Sequence, residues 1–187
     1  MKNNLLEAAL QYMTKGFSVI PVIPKEKKPL VKWEIFQKRK ATRKEIISWW
    51  SLTPDANIGI VTGKISNIFV VDIDTEEGQQ FLLQYGFESI VTPTVQTPRG
   101  GQHLYFKYPE KMQLTIGTGK IRGTDYRGNG GYVLAPPSQN NAGTQYKWII
   151  NLSTQLQELP IDYIDAINTP GVLYNKNMQY IYKDVYK

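Results

Sequence analysis

Ile68-Phe69-Val70-Val71-Asp72-Ile73-Asp74 is an apolar run that ends in two carboxylates. Its β-branched residues predict a buried strand, Ile68 to Ile73, between other strands and a following helix. Side chains alternate along a strand, so Asp72 and Asp74 face the same way, with Cβ atoms roughly 7 Å apart at about 3.3 Å rise per residue. Two such carboxylates can share divalent ions about 3.5–4 Å apart, the spacing used for in-line phosphoryl transfer. Without a metal, two anions this close repel and one takes up a proton. The plainer alternative is a solvated strand end, with Asp74 or Thr75 capping the next helix.

Upstream of this run, Asn3 or Asn4 can cap an opening helix with Leu5, Ala8, Ala9 and Tyr12 at helical spacing, stopped by Gly16. Phe17 to Ile23 reads as a strand, and a basic loop follows. Thr42 and Glu45 form a capping box for a second helix that Pro54 ends. Asn57 to Val61 is a strand, separated from Ile68 to Ile73 by a turn at Gly63. Downstream, Thr75-Glu76-Glu77 starts a helix with acidic residues where the helix dipole favours them, and Gly86 ends it. Strands are expected at Val95–Thr97, His103–Tyr108, Tyr132–Ala135 and Gln145–Ile149. Short helices are expected at Thr154–Leu159 and Ile161–Ile167. The Tyr- and Asn-rich tail after Pro170 has weak periodicity and reads as partly disordered or as a link. The pattern is α/β early and β-rich later.

Two further stretches bear chemistry. In Thr97-Pro98-Arg99-Gly100-Gly101-Gln102-His103-Leu104-Tyr105-Phe106, the glycines let backbone amides approach an anion. Alternation puts His103 and Tyr105 on one face, where a charged or hydrogen-bonding histidine can orient a triphosphate. A Gly-Gly turn is also simply a hairpin. His103 is the only histidine, which removes any two-histidine metal site. In Ile121 to Ser138, Asp125 lies between Arg122 and Arg127, which should keep it ionised. It can equally be a structural ion pair. Gly128 to Gly131 carries an Asn-Gly hairpin signature.

Composition narrows the class. The 187 residues fit one domain with a real core, 41% hydrophobic and 20% charged. No cysteine is present, so disulfides and thiolate zinc sites are excluded. No targeting signal and no membrane-length apolar stretch is visible, so a soluble, cytoplasmic protein is expected. The net charge of +6 is concentrated between Lys25 and Lys44, where nine basic residues face two acidic ones. Such an excess suits a polyanion or is a solvated face. Neither a P-loop nor a serine elbow occurs.

Taken in order, these stretches resemble the N-terminal domain of bifunctional DNA primase/polymerases, in the archaeo-eukaryotic primase superfamily. The resemblance spans about Ala8 to Leu159. It includes Gly16-Phe17, Lys28-Pro29, Ala41-Thr42 leading to Trp49-Trp50, Pro54-Asp55-Ala56-Asn57-Ile58-Gly59 and Tyr146-x-Trp148.

The resemblance implies an α/β (α+β) fold: an α/β module on a β-rich, RRM-like module, with the active site between. It implies that Asp72, Asp74 and Asp125 hold two Mg²⁺ or Mn²⁺ ions, and that His103 contacts the incoming nucleotide's phosphates. Arg99, Gly100, Gly101, Lys28, Asn57, Arg122 and Ser138 join the nucleotide-binding set. Lys32, Trp33, Arg39 and Lys40 are candidates for the nucleic-acid surface. A serine often stands two residues before the histidine in the superfamily; here it is Gly101. The expected partners are a single-stranded DNA template, a primer, and dNTP or NTP. Residues 1–170 would be the catalytic domain and 171–187 a tail or linker, with a helicase or other domain possible on a longer chain. The rival readings are an RRM-like binding module without chemistry and a metal-dependent nuclease or phosphohydrolase.

Overall fold

The computed structural model describes residues 4–83, 85–110, 114–121, 123–168, 172–175 and 178–182. Helices α1 (Asn4–Thr14), α2 (Arg43–Leu52), α3 (Glu76–Leu83) and α4 (Ile161–Asn168) alternate with strands. The strands are β1 (Ser18–Val22), β2 (Asn57–Val61), β3 (Ile68–Ile73), β4 (Thr94–Gln96), β5 (Gln102–Lys107), β6 (Ile116–Ile121), β7 (Thr124–Arg127), β8 (Tyr132–Ala135) and β9 (Lys147–Ile150). Strands β10 (Val172–Asn175) and β11 (Met178–Tyr182) form a hairpin in the tail. The expected mixed α/β class is what the chain adopts. Among the described residues no helix is long and apolar enough to cross a membrane.

Two antiparallel sheets carry the molecule. One is β1-β2-β8; the other is six-stranded in the order β6-β7-β3-β5-β4-β9. Strand β3 lies inside the larger sheet, and its alternation divides the core. Ile68 and Val70 pack with α1, α2 and the three-stranded sheet. Phe69, Val71 and Ile73 pack on the opposite face with residues of α3 and α4. Period two therefore puts Asp72 on the inner face, where the two sheets meet.

Local signals hold where one turn of chain decides. The Thr42 hydroxyl accepts from the Glu45 amide at 3.2 Å and the Glu45 carboxylate accepts from the Thr42 amide at 2.8 Å, completing the capping box of α2. Asn4 is inside α1 rather than capping it, and Asn3 lies outside the described residues.

Other expectations are corrected. Residues 154–159 are not helical. Strand β4 is only three residues long and leaves the end of β5 without a neighbour, so Gln157 pairs there with Phe106, its carbonyl accepting from the Lys107 amide at 2.9 Å. The Gly128–Gly131 turn is no hairpin, because β7 and β8 belong to different sheets. Only Gly130 of its two central residues has positive φ, +83°, so the turn is of type II rather than the Asn-Gly type. Asn129 instead accepts from the Lys64 amide and donates to the Tyr108 hydroxyl.

Candidate active site

Antiparallel pairing gathers the inner-face residues of three strands into one row. Asp72 on β3 is directly opposite His103 on β5 and directly opposite Asp125 on β7. Asp74 follows β3 with its side chain exposed. Asp72 and His103 of this row open into a cavity of about 780 Å³, whose lining does not include Asp125. Asp72, Asp74 and His103 line one wall, with Thr97, Pro98 and Arg99 from the β4–β5 turn. The loop after β1 (Lys25 to Lys28), Leu134, the segment Gln139 to Asn141, and Tyr146 form the rest.

The charges are poised against one another. Burial above all pushes the Asp72 carboxyl up to about 7, and the Asp74 charge adds to it. Arg127 and Lys27 oppose that rise, while Asp125 strengthens it. Asp72 thus keeps its proton in part near neutrality, chiefly because burial disfavours its charge. Burial, with Lys27 and Arg127, pulls the His103 imidazole down to about 3, leaving it uncharged at neutral pH. Its Nε2 comes within 3.4 Å of Asp72 Oδ1. The alignment is not that of a hydrogen bond: Asp72 Oδ1 and His103 Nδ1, both buried, have no protein partner. A neutral imidazole can still donate to a phosphate oxygen, so the histidine would act by hydrogen bonding, not by charge.

The remaining expected residues separate into groups. Lys28 and Arg99 line the cavity. Asp125 receives a hydrogen bond from Arg127 at 3.2 Å. Asn57 and Ser138, expected among the nucleotide contacts, do not line the cavity and hold backbone beside it. Asn57 is buried; its amide donates to the carbonyls of Glu26 and Gln139, and its oxygen accepts from the Gln139 amide at 2.8 Å. Ser138 is fully buried, and its hydroxyl takes up the Ile58 amide and carbonyl.

The Gly100 amide is likewise committed, donating to the Thr97 carbonyl at 3.0 Å. A Cβ on Gly101 would stand 2.4 Å from the Ile73 carbonyl oxygen, so glycine is needed there for close approach of two strands. Arg122 lies outside the described residues.

The proposed nucleic-acid surface is dispersed. Trp33 lines a second cavity beside Asp72. Arg39 grips both Glu45 oxygens at 2.9 and 2.7 Å and lies over the Phe36 ring, so its guanidinium is already engaged. Lys32 is exposed. Lys40 borders a separate groove with Lys15, Lys64 and Lys107, at the far end of β3 from Asp72.

Three cavity groups were not singled out from sequence. Lys27 was one charge in a run. Thr97 carries a buried hydroxyl without a protein partner. Tyr146 lies with its ring 5.8 Å from that of His103, and burial beside Asp72 and Asp74 pushes its hydroxyl up to about 12. The Tyr146-x-Trp148 pattern was visible, but nothing local placed it against the histidine.

The donor set suits a hard divalent cation: carboxylate oxygens, one of them buried and unpartnered, with mutual repulsion for a cation to relieve. Among the described residues no three His, Asp or Glu side chains are gathered on one point, so the carboxylates are neighbours, not a closed cage. The family model for the bifunctional DNA primase/polymerase, N-terminal, matches residues 9–161. No curated protein matches the chain.

Proposed function

The chain belongs to the bifunctional DNA primase/polymerase N-terminal family, and from that premise we propose that it carries out template-directed nucleotidyl transfer, making and extending DNA primers. The observation that carries this reading is the pair Asp72 and His103 on the wall of a lysine- and arginine-bearing cavity, with Asp125 opposite Asp72 in the sheet. Carboxylates beside an anion-binding wall repel a phosphate unless a cation intervenes. A plain binding module has no reason to place them there.

In the reaction, the oxygen of an acceptor 3′-hydroxyl forms a bond to the α-phosphorus of a nucleoside triphosphate. The bond from that phosphorus to the bridging oxygen of the β-phosphate breaks. Pyrophosphate leaves with the electron pair, and the hydroxyl proton passes to water. Asp72, Asp74 and Asp125 would hold divalent ions, whose chemistry there would be to make the hydroxyl more acidic and to offset the phosphate charge. Lys27, Lys28 and Arg99 draw the triphosphate into the larger cavity. His103, neutral, donates one hydrogen bond to it, and the Thr97 hydroxyl is placed to add another. Tyr146 holds the imidazole face.

The test uses a single-stranded template with all nucleotides and Mg²⁺ or Mn²⁺, with and without an annealed primer, beside an Asp72→Ala/Asp74→Ala control. Lengthened products that vanish in the control establish the polymerase, and products without primer establish the primase. Shortened template would point to a nuclease. Folded protein that binds DNA and makes no product with either metal would refute the reading.

A further inference from the structure

A second cavity, about 290 Å³, also opens at Asp72 and His103. It shares Lys27, Asp72, His103, Leu134 and Tyr146 with the larger one, so the two lobes meet at the carboxylate–histidine pair. Their chemistry differs. The larger lobe carries Lys25, Lys28 and Arg99. The smaller is walled by Trp33, Tyr132 and Ile116, floored by Gly130 and Gly131, and bears Arg127. Trp33 and Tyr132 meet edge to face, centroids 4.9 Å apart at 68°. The Tyr132 hydroxyl donates to the Lys27 carbonyl, which ties this aromatic corner to the loop that lines both lobes.

We propose that the smaller lobe is the acceptor site. It takes the nucleotide that supplies the 3′-hydroxyl, with its base against Trp33 and Tyr132 and its phosphate toward Arg127. This rests on the transfer reaction of the preceding subsection and says where its second substrate sits. The transfer joins two substrates at one point, and the protein offers two lobes that touch at Asp72. A triphosphate needs the cationic lobe; a base needs an aromatic wall, which binds any of the four bases by stacking. The volume suits one nucleoside and not a triphosphate with its metal. The acceptor can be a primer end or, in unprimed synthesis, the first free nucleotide. The shared requirement is a base with a 3′-hydroxyl.

The experiment compares the full chain with Trp33→Ala and Trp33→Phe under steady-state conditions. In one arm the primer–template is varied at saturating dNTP; in the second the dNTP is varied at saturating primer; in the third the chain starts without primer. Trp33→Ala is expected to raise the KM for primer end, and for the initiating nucleotide, about tenfold. The KM for incoming dNTP should stay unchanged, and Trp33→Phe should recover most of the loss. A rise confined to incoming dNTP would show that the lobe holds the incoming base, and no change in any arm would remove Trp33 from both; either overturns the proposal.

A binding readout stands apart from catalysis. Titrating dGMP should quench tryptophan fluorescence in the wild type and quench it less in Trp33→Phe, while inorganic phosphate should not. Equal quenching in the two chains overturns the acceptor site even if no product is ever made. Absence of product from the wild type overturns the transfer reading instead.

Discussion

Asp72 and Asp125 are direct cross-strand partners, two carboxylates opposite each other in the β3–β7 ladder. Like charges so placed destabilise a sheet unless something positive lies between or beside them. Arg127 supplies part of that by hydrogen bonding Asp125. If a divalent ion supplies the rest, Asp125→Asn weakens Mn²⁺ binding at least about tenfold and lowers incorporation with it. Glu158→Gln, which alters only an exposed pair with Lys107, leaves both unchanged. Isothermal titration with Mn²⁺ checks this; unaltered affinity in Asp125→Asn would take that residue out of the metal set.

The raised Asp72 carboxyl makes stability depend on pH in a set direction. An aspartate in the unfolded chain ionises near about 3.9, and in the fold Asp72 does so at about 7. Between those values the folded chain keeps a proton that the unfolded chain has lost, so metal-free stability falls as pH rises from 4 through 7. In EDTA, Asp72→Asn should melt on the order of 5 °C above the wild type at pH 8 and level with it at pH 4. Adding Mn²⁺ at pH 8 should raise the wild type alone. A gap between the two proteins that is the same at both pH values would contradict the linkage.

What could be read from sequence was what neighbours along the chain decide. The apolar run of β3 and the capping box of α2 needed no distant information. Strands β6 and β7 were missed because Gly117, Gly119 and Gly123 interrupt any alternation. The structure gives one reason: a Cβ on Gly117 would fall 2.1 Å from the Tyr126 ring. Without β7, the opposition of Asp125 to Asp72 could come only from the resemblance. Asn57 and Ser138 show what local sequence leaves undecided. Polar residues in a matching motif look like ligand contacts, yet their side chains hold the backbone that builds the wall. The division of the core into two faces of one sheet was implicit in the β3 alternation. Which strands flank it was not.

Asn57, the first residue of β2, joins two cavity loops. It ties the Glu26 carbonyl, in the basic loop, to both backbone groups of Gln139. Asn57→Ala removes these hydrogen bonds from backbone groups that solvent can partly reach, a loss of about 1 kcal/mol in stability. The lysine loop should then drift, raising the KM for nucleotide more than it lowers kcat, because the carboxylate row is anchored on other strands. Denaturant melts and a KM-against-kcat comparison check this. A fall in kcat alone would argue that Asn57 acts on the reacting centre.

Gly100 and Gly101 are adjacent glycines with different reasons to be glycine, and substitution separates them. Gly100 has φ +91° and open space around its missing Cβ, so Gly100→Ala meets only backbone strain, about 1–2 kcal/mol. Gly101 has no such φ, but its Cβ would strike the Ile73 carbonyl at 2.4 Å and crowd Asp74 Oδ1 and Thr97 Oγ1 at 3.1 Å. Ile73 ends β3 and lies between Asp72 and Asp74, so relief of the clash must move the end of β3. A serine at this position has no room here, and the unpartnered Thr97 hydroxyl lies 3.1 Å from where its Cβ would stand. Gly101→Ala should therefore cost incorporation roughly a hundredfold. Gly100→Ala, at similar stability, should cost far less. Equal losses in the two variants would mean that the turn itself, and not the approach of β3 to β5, sets the site.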